Sequence, residues 1–175
     1  MRSVTIVFKV FKIRKIVKIS SVSENSAELK EDRDALRLFL SVENDRLIEK
    51  GIYFKLVQWE YFLDAVSDTR MQNEYNKALE ECDIVLSLFF TRAGKYTQEE
   101  FEKALAKFKE TGKPRIYTYF KDAPVNMSDI DEKVLSLLNF KKRLAELEHF
   151  PTKYTNIDDL KVQFKRQLEI YLDEM

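Results

Sequence analysis

Between Ile84 and Phe90 the chain reads Ile-Val-Leu-Ser-Leu-Phe-Phe, a run without a charge in a sequence where 34% of residues are charged. Unbroken apolar runs of this length are the mark of a strand buried on both faces of a parallel sheet. The run follows Cys82-Asp83 and passes through Thr91-Arg92-Ala93-Gly94 into an amphipathic helix that stops near Thr111-Gly112-Lys113-Pro114. A polar loop therefore sits at the carboxyl end of a central strand. In open α/β sheets ligands collect in the crevice beyond those ends, which makes Arg92 to Glu100 the first place to look for chemistry, with Glu100 in front.

The rest of the chain alternates in the same way. Lys15 to Ser20 reads as a strand and Ser21 to Asn25 as the loop beyond it. From about Ala27 to Leu47 apolar residues recur at Leu29, Leu36, Phe39, Leu40 and Leu47, predicting a helix with Glu31, Asp32, Arg33 and Asp34 on its wet side. Gly51 ends that helix or follows its frayed end, and Tyr53 to Glu60 is a second strand. Tyr61 to Thr69 is a loop, and Arg70 to Glu81 a helix with Met71, Tyr75, Ala78 and Leu79 inward. Arg115 to Phe120 is a further strand. Helices over Ser128–Glu148 and Ile157–Asp173 close the chain, joined by a loop from His149 to Asn156. Such a β-α-β-α-β-α-β series with short connections calls for right-handed crossovers. The expected fold is a flavodoxin-like α/β sandwich, with a parallel sheet of four or five strands centred on Ile84–Phe90 and helices on both faces.

One domain over residues 15–175 accounts for this series, with a core at 15–125 and a helical extension at 126–175. Residues 1–14 are either an edge strand or a basic and apolar extension. Lys9, Lys12, Arg14, Lys15 and Lys18 interrupt the apolar residues too often for a secretion signal, and nothing is long enough to span a membrane. Thirty basic residues balance thirty acidic ones, so no global field favours nucleic acid or an anionic membrane. One cysteine rules out an internal disulfide, and Cys82 with His149 is too little for a metal. A cytoplasmic location is expected.

The strand ending Ile19-Ser20-Ser21, the strand ending Trp59-Glu60, the helix ending Leu79-Glu80-Glu81-Cys82-Asp83, the Ile84–Phe90 strand and Tyr96-Thr97-Gln98-Glu99-Glu100-Phe101 together resemble a TIR domain. The likeness is to the bacterial TIR-like domains that precede NTPase or repeat modules in antiphage defence and signalling proteins, and it covers about residues 15–125. Its sharpest element is Tyr96 to Phe101, similar to the family's Trp-Cys-x-x-Glu-Leu segment, whose glutamate is catalytic in the TIR enzymes that cleave NAD+. The resemblance thus implies an NAD+ glycohydrolase activated by self-association, with Glu100 catalytic, Tyr96 near the substrate, NAD+ as substrate, no prosthetic group, and a homo-oligomer. Glu99 leaves the register open by one residue, a rotation of about 100° on a helix, so Glu99 is the alternative.

The chemistry also stands on its own terms. Breaking a nicotinamide N-glycosidic bond passes through an oxocarbenium-like state that a nearby carboxylate stabilises, and nicotinamide leaves neutral, without a general acid. The bland reading of the same acids is structural: Thr97 as N-cap, Glu100 closing a capping box, and Glu99 and Glu102 serving the helix dipole. Ser20, Ser21 and Ser23 hold phosphate or ribose, or simply cap and turn the chain. Trp59 stacks on a base or nicotinamide ring while Glu60 reaches a ribose hydroxyl, or else Trp59 is core. Arg92 and Lys95 meet a pyrophosphate or are solvated loop charges. Cys82 reads as an inert thiol and His149 as a structural hydrogen bonder. Asp64, Asp68 and Arg70 fall in the loop that, in TIR domains, mediates self-association. Two other function classes stay open: a non-catalytic TIR-type adaptor, and a nucleoside deoxyribosyltransferase-like enzyme.

Overall fold

A computed structural model describes residues 12–23, 27–58, 71–125 and 132–175. In chain order the elements are β1 (Lys15–Ser23), α1 (Lys30–Leu47), β2 (Ile52–Val57), α2 (Met71–Glu80), β3 (Ile84–Phe89), α3 (Lys95–Thr111), β4 (Arg115–Lys121), α4 (Glu132–Glu146), β5 (Thr152–Tyr154) and α5 (Ile157–Asp173). Short 3₁₀ turns precede α1 at Ala27–Leu29 and follow it at Ile48–Lys50. The sheet order is β2-β1-β3-β4-β5 and every pairing is parallel. The uncharged strand lies at the centre with all its residues buried, as its composition requires.

Alternation along the strands divides the core into two faces. Val17, Ile19, Ile84, Leu86, Leu88, Tyr119 and Tyr154 pack with Leu36 and Leu40 of α1 and Leu160, Phe164 and Leu168 of α5. On the opposite face Val22 and Val85 meet Tyr75 and Leu79 of α2 and Ala104 of α3, while Phe89 and Phe120 meet Phe101 of α3 and Phe140 of α4. Asp83 stitches the amino ends together: its carboxylate accepts from the Lys18 amide and the Lys113 ammonium, both at 3.0 Å, and its carbonyl accepts from the Arg115 amide.

Four expectations need correction. β1 continues through Ser23, because Ser21 and Ser23 pair in register with Leu86 and Leu88, so these serines belong to a strand and not to a loop. Asp32 is fully buried and Arg33 nearly so; Leu29, Asp32, Leu36 and Leu40 follow helical spacing, which puts Asp32 on the inner face. The connection after α4 contains the edge strand β5, paired with β4. α4 itself stops at Glu146, because Glu148 takes a left-handed conformation (φ 54°) and the His149 amide turns back to the Leu144 carbonyl. Lys12, Ile13 and Arg14 are not in a strand, and the choice between edge strand and extension otherwise lies outside the described residues.

Candidate active site

The carboxyl end of β3 delivers a loop fixed from three directions. The Thr91 hydroxyl donates to Glu28 at 2.7 Å, the Ala93 amide donates to the Ser136 hydroxyl of α4 at 3.2 Å, and the Gln98 side chain reaches back to the Ala93 carbonyl at 2.7 Å. Gly94, with extended dihedrals, is the N-cap of α3, and the Gln98 amide bonds its carbonyl. Thr97 is consequently the third residue inside the helix. It caps nothing, Glu100 closes no capping box, and α3 has no acid in its first turn. The capping-box reading of these acids therefore falls, because glycine takes the cap position that the sequence offered Thr97.

Thr97, Glu100, Phe101 and Ala104 form the buried stripe of α3, and Glu100 keeps only 6% of its surface exposed. Glu99, one position round the helix, is half-buried and accepts from the side chain of Asn76 at 3.1 Å. Asn76 is buried and adjoins Tyr75, whose hydroxyl lies 2.7 Å from that of Ser20. Ser20 and the Glu99 carboxylate are thus joined through α2, on the α2–α3 face. Ser23 turns to the opposite face, where its hydroxyl accepts from Arg33 at 2.9 Å. Ser21 is buried and its hydroxyl has no partner among the described residues. The three serines therefore do not share one wall: the pleat sends Ser20 to the α2 side and Ser23 to α1.

Arg92 and Gly94 are half-buried in the loop, Lys95 is exposed, and Tyr96 is 56% exposed on the outer side of α3. Trp59, Glu60, Asp64, Asp68 and Arg70 lie outside the described residues. Cys82 and His149 sit where a structural role puts them. Burial pushes the Cys82 thiol up to about 12, and it donates to the Ala78 carbonyl at 3.3 Å. The His149 ring lies edge-on to Phe101 and 2.9 Å from the Thr118 hydroxyl, and burial lowers its pKa below 6.5.

A second polar group escaped the sequence reading. Asp32 of α1 and Lys121, the last residue of β4, form an ion pair at 2.8 Å, with Lys121 also 5.6 Å from the Phe90 ring centre. Tyr154 of β5 stands in register beside Lys121, and burial followed by the Asp32 charge raises its phenol pKa. The available signal was the helical spacing of Asp32; nothing in the sequence links it to Lys121, 89 positions away. A groove of about 290 Å³ lies at the other end of the sheet, between α1, β2 and α5, remote from these residues.

Among the described residues no cluster of His, Cys, Asp and Glu is arranged to hold a metal, and no helix is long and apolar enough to cross a membrane. Strand order, parallel pairing and two covered faces define a flavodoxin-like sandwich, the fold that the sequence resemblance implied. No family model and no curated relative matches the chain. Among solved structures it is similar to a crystal structure of the RPS4 and RRS1 TIR domain heterodimer, at 14% identity and a TM-score of 0.41, over 88% of this chain and 96% of that one.

Proposed function

We propose that this chain is a TIR-like enzyme domain of a defence or signalling system that hydrolyses the nicotinamide N-glycosidic bond of NAD+. The observation that supports this reading best is Glu100: a carboxylate 6% exposed, on the inner face of the helix that follows the central strand. Buried carboxyls next to a sheet's carboxyl edge are functional candidates on physical grounds. In the reaction the ribose C1′–N bond breaks, nicotinamide departs with the electron pair as a neutral molecule, and the positive charge develops on the ribose. Glu100 faces that charge. Water then adds to C1′ and releases its proton to solvent. Self-association activates the domain in the cytoplasm.

Glu100→Gln preserves shape while removing the charge, so it should lower the rate of nicotinamide release roughly a hundredfold or more, with unfolding midpoint nearly unchanged. Glu99→Gln should retain most activity. Loss in Glu99→Gln with near-full activity in Glu100→Gln would transfer the role to Glu99, and full activity in both would refute the carboxylate mechanism. A second reading, a non-catalytic adaptor, draws on exposed apolar residues such as Leu38 and Val42 on α1 and Leu135 and Leu138 on α4. It predicts no nicotinamide release at any protein concentration.

A further inference from the structure

The Asp32–Lys121 pair has features that a simple fold-stabilising ion pair does not need. Asp32 is fully buried, whereas the Lys121 side chain keeps 19% of its surface open. Lysine carries three N–H donors, and Asp32 Oδ2 is the acceptor Lys121 has among the described residues. The ammonium rests against Phe90, which leads directly into the Thr91–Gly94 loop. Asp32 lies in the first turn of α1, where the helix amides help to balance its charge. The buried phenol of Tyr154, in register beside Lys121, lies against Asp32, and burial followed by the charge and hydrogen bond of Asp32 raises its pKa. A fixed ammonium that donates to one acceptor among the described residues, half-shielded by an aromatic ring at the carboxyl edge of a doubly wound sheet, is suited to an oxyanion.

We propose that Lys121 binds the pyrophosphate of the dinucleotide substrate, and that Asp32 is the residue that positions it. This rests on the reading of the site as one for NAD+, and it adds a direction to that reading. Lys121 lies on the α1 face of the sheet and Glu100 on the α3 face. The substrate crosses the carboxyl edge with its phosphates toward α1 and its glycosidic bond toward α3. Asp32 holds the ammonium at the edge; it does not itself touch the substrate.

The test uses inorganic pyrophosphate and ADP-ribose as probes, with adenosine as the uncharged control. Lys121→Met alone would strand a buried carboxylate, so the variant is the pair Lys121→Met with Asp32→Asn. Calorimetry should show wild type binding both anionic probes and the double variant binding them at least about tenfold more weakly, the loss of one charge-assisted contact. Equal affinity in the two proteins would overturn the proposal. A measurement on wild type alone guards against a misfolded variant: pyrophosphate should slow acetylation of Lys121, followed by mass spectrometry, relative to exposed Lys95. Unchanged labelling of Lys121 would also overturn it. If Lys121 is protected but no nicotinamide is released from NAD+, the hydrolase reading fails and this site stands. If NAD+ is cleaved with the same KM by wild type and double variant, the hydrolase stands and this site fails.

Discussion

Lys121 and Asp32 differ in what their removal should do, because one is buried completely and the other is not. Lys121→Met leaves a buried carboxylate without its cation, and breaking such a pair from one side typically costs about 3–5 kcal/mol. Asp32→Asn in the same background should recover part of that loss, because the stranded charge is gone; urea unfolding of the two variants checks the order. His149 gives a pH-dependent case. Burial lowers its folded pKa below the ordinary 6.5, so the unfolded chain binds the proton more readily. Its contribution is intact above pH 6.5 and is lost as pH falls from there through the depressed folded value. Unfolding free energies at pH 7.5, 6.5 and 5.5 should therefore fall more steeply for wild type than for His149→Gln. Equal slopes would show that the imidazole is not held neutral. Cys82, with its thiol pushed to about 12, should resist iodoacetamide at pH 8 until the chain is unfolded. Mass spectrometry of alkylated protein with and without urea gives the answer.

Element boundaries show where residue patterns inform and where they do not. Helix stops marked by glycine were legible: Gly51 and Gly112 both take left-handed conformations, at φ 75° and 74°. Substituting each by alanine separates backbone strain from crowding. A Cβ at Gly112 would meet nothing within 4 Å, so the cost is the left-handed conformation, about 1 kcal/mol. A Cβ at Gly51 would come 3.0 Å from the Lys12 carbonyl oxygen and 3.1 Å from the Arg14 side chain. Gly51→Ala should consequently lower the unfolding midpoint clearly more than Gly112→Ala, measured by thermal denaturation. The stop of α4 was illegible because Glu148, a residue with no preference for that geometry, takes the glycine position. β5 was illegible too: Thr152-Lys153-Tyr154 has no apolar run, and its strand character comes from the β4 edge that it joins. Within the site, the glutamates on α3 could be read from the chain, whereas the cap that decides their surroundings could not. Gly94 and Thr97 are both acceptable N-caps by composition, and only the path of the loop chooses between them. The Asp32–Lys121 contact, like the Ser20–Tyr75 and Asn76–Glu99 contacts, depends on which helix covers which strand, a property of the assembled sheet.

At the scale of the molecule, the central strand and the sandwich followed from one apolar run and its alternating neighbours, because a strand buried on both faces leaves few other architectures. Charge balance has a different consequence. With thirty basic and thirty acidic residues and an isoelectric point near 6.6, the chain carries almost no net charge at neutral pH, and long-range repulsion does not oppose the meeting of two copies. Large apolar side chains stand exposed on more than one helix, among them Leu38 at 68% and Val162 at 69% on α1 and α5, helices of the same face. Burial of such residues between copies needs no charge pairing, so association should be weakly affected by moderate salt. If self-association activates the hydrolase, specific activity must rise with protein concentration, and it must do so in parallel with the mass measured by sedimentation. Leu38→Glu should shift both curves to higher concentration while leaving the unfolding midpoint within about 2 °C, because a substitution at an exposed position seldom changes stability by more than about 0.5 kcal/mol. Constant specific activity across the range in which sedimentation shows dimer forming would mean that the monomer is already competent. Constant activity with no association at any concentration would remove the self-association model altogether and leave Glu100 to be tested in a monomeric enzyme.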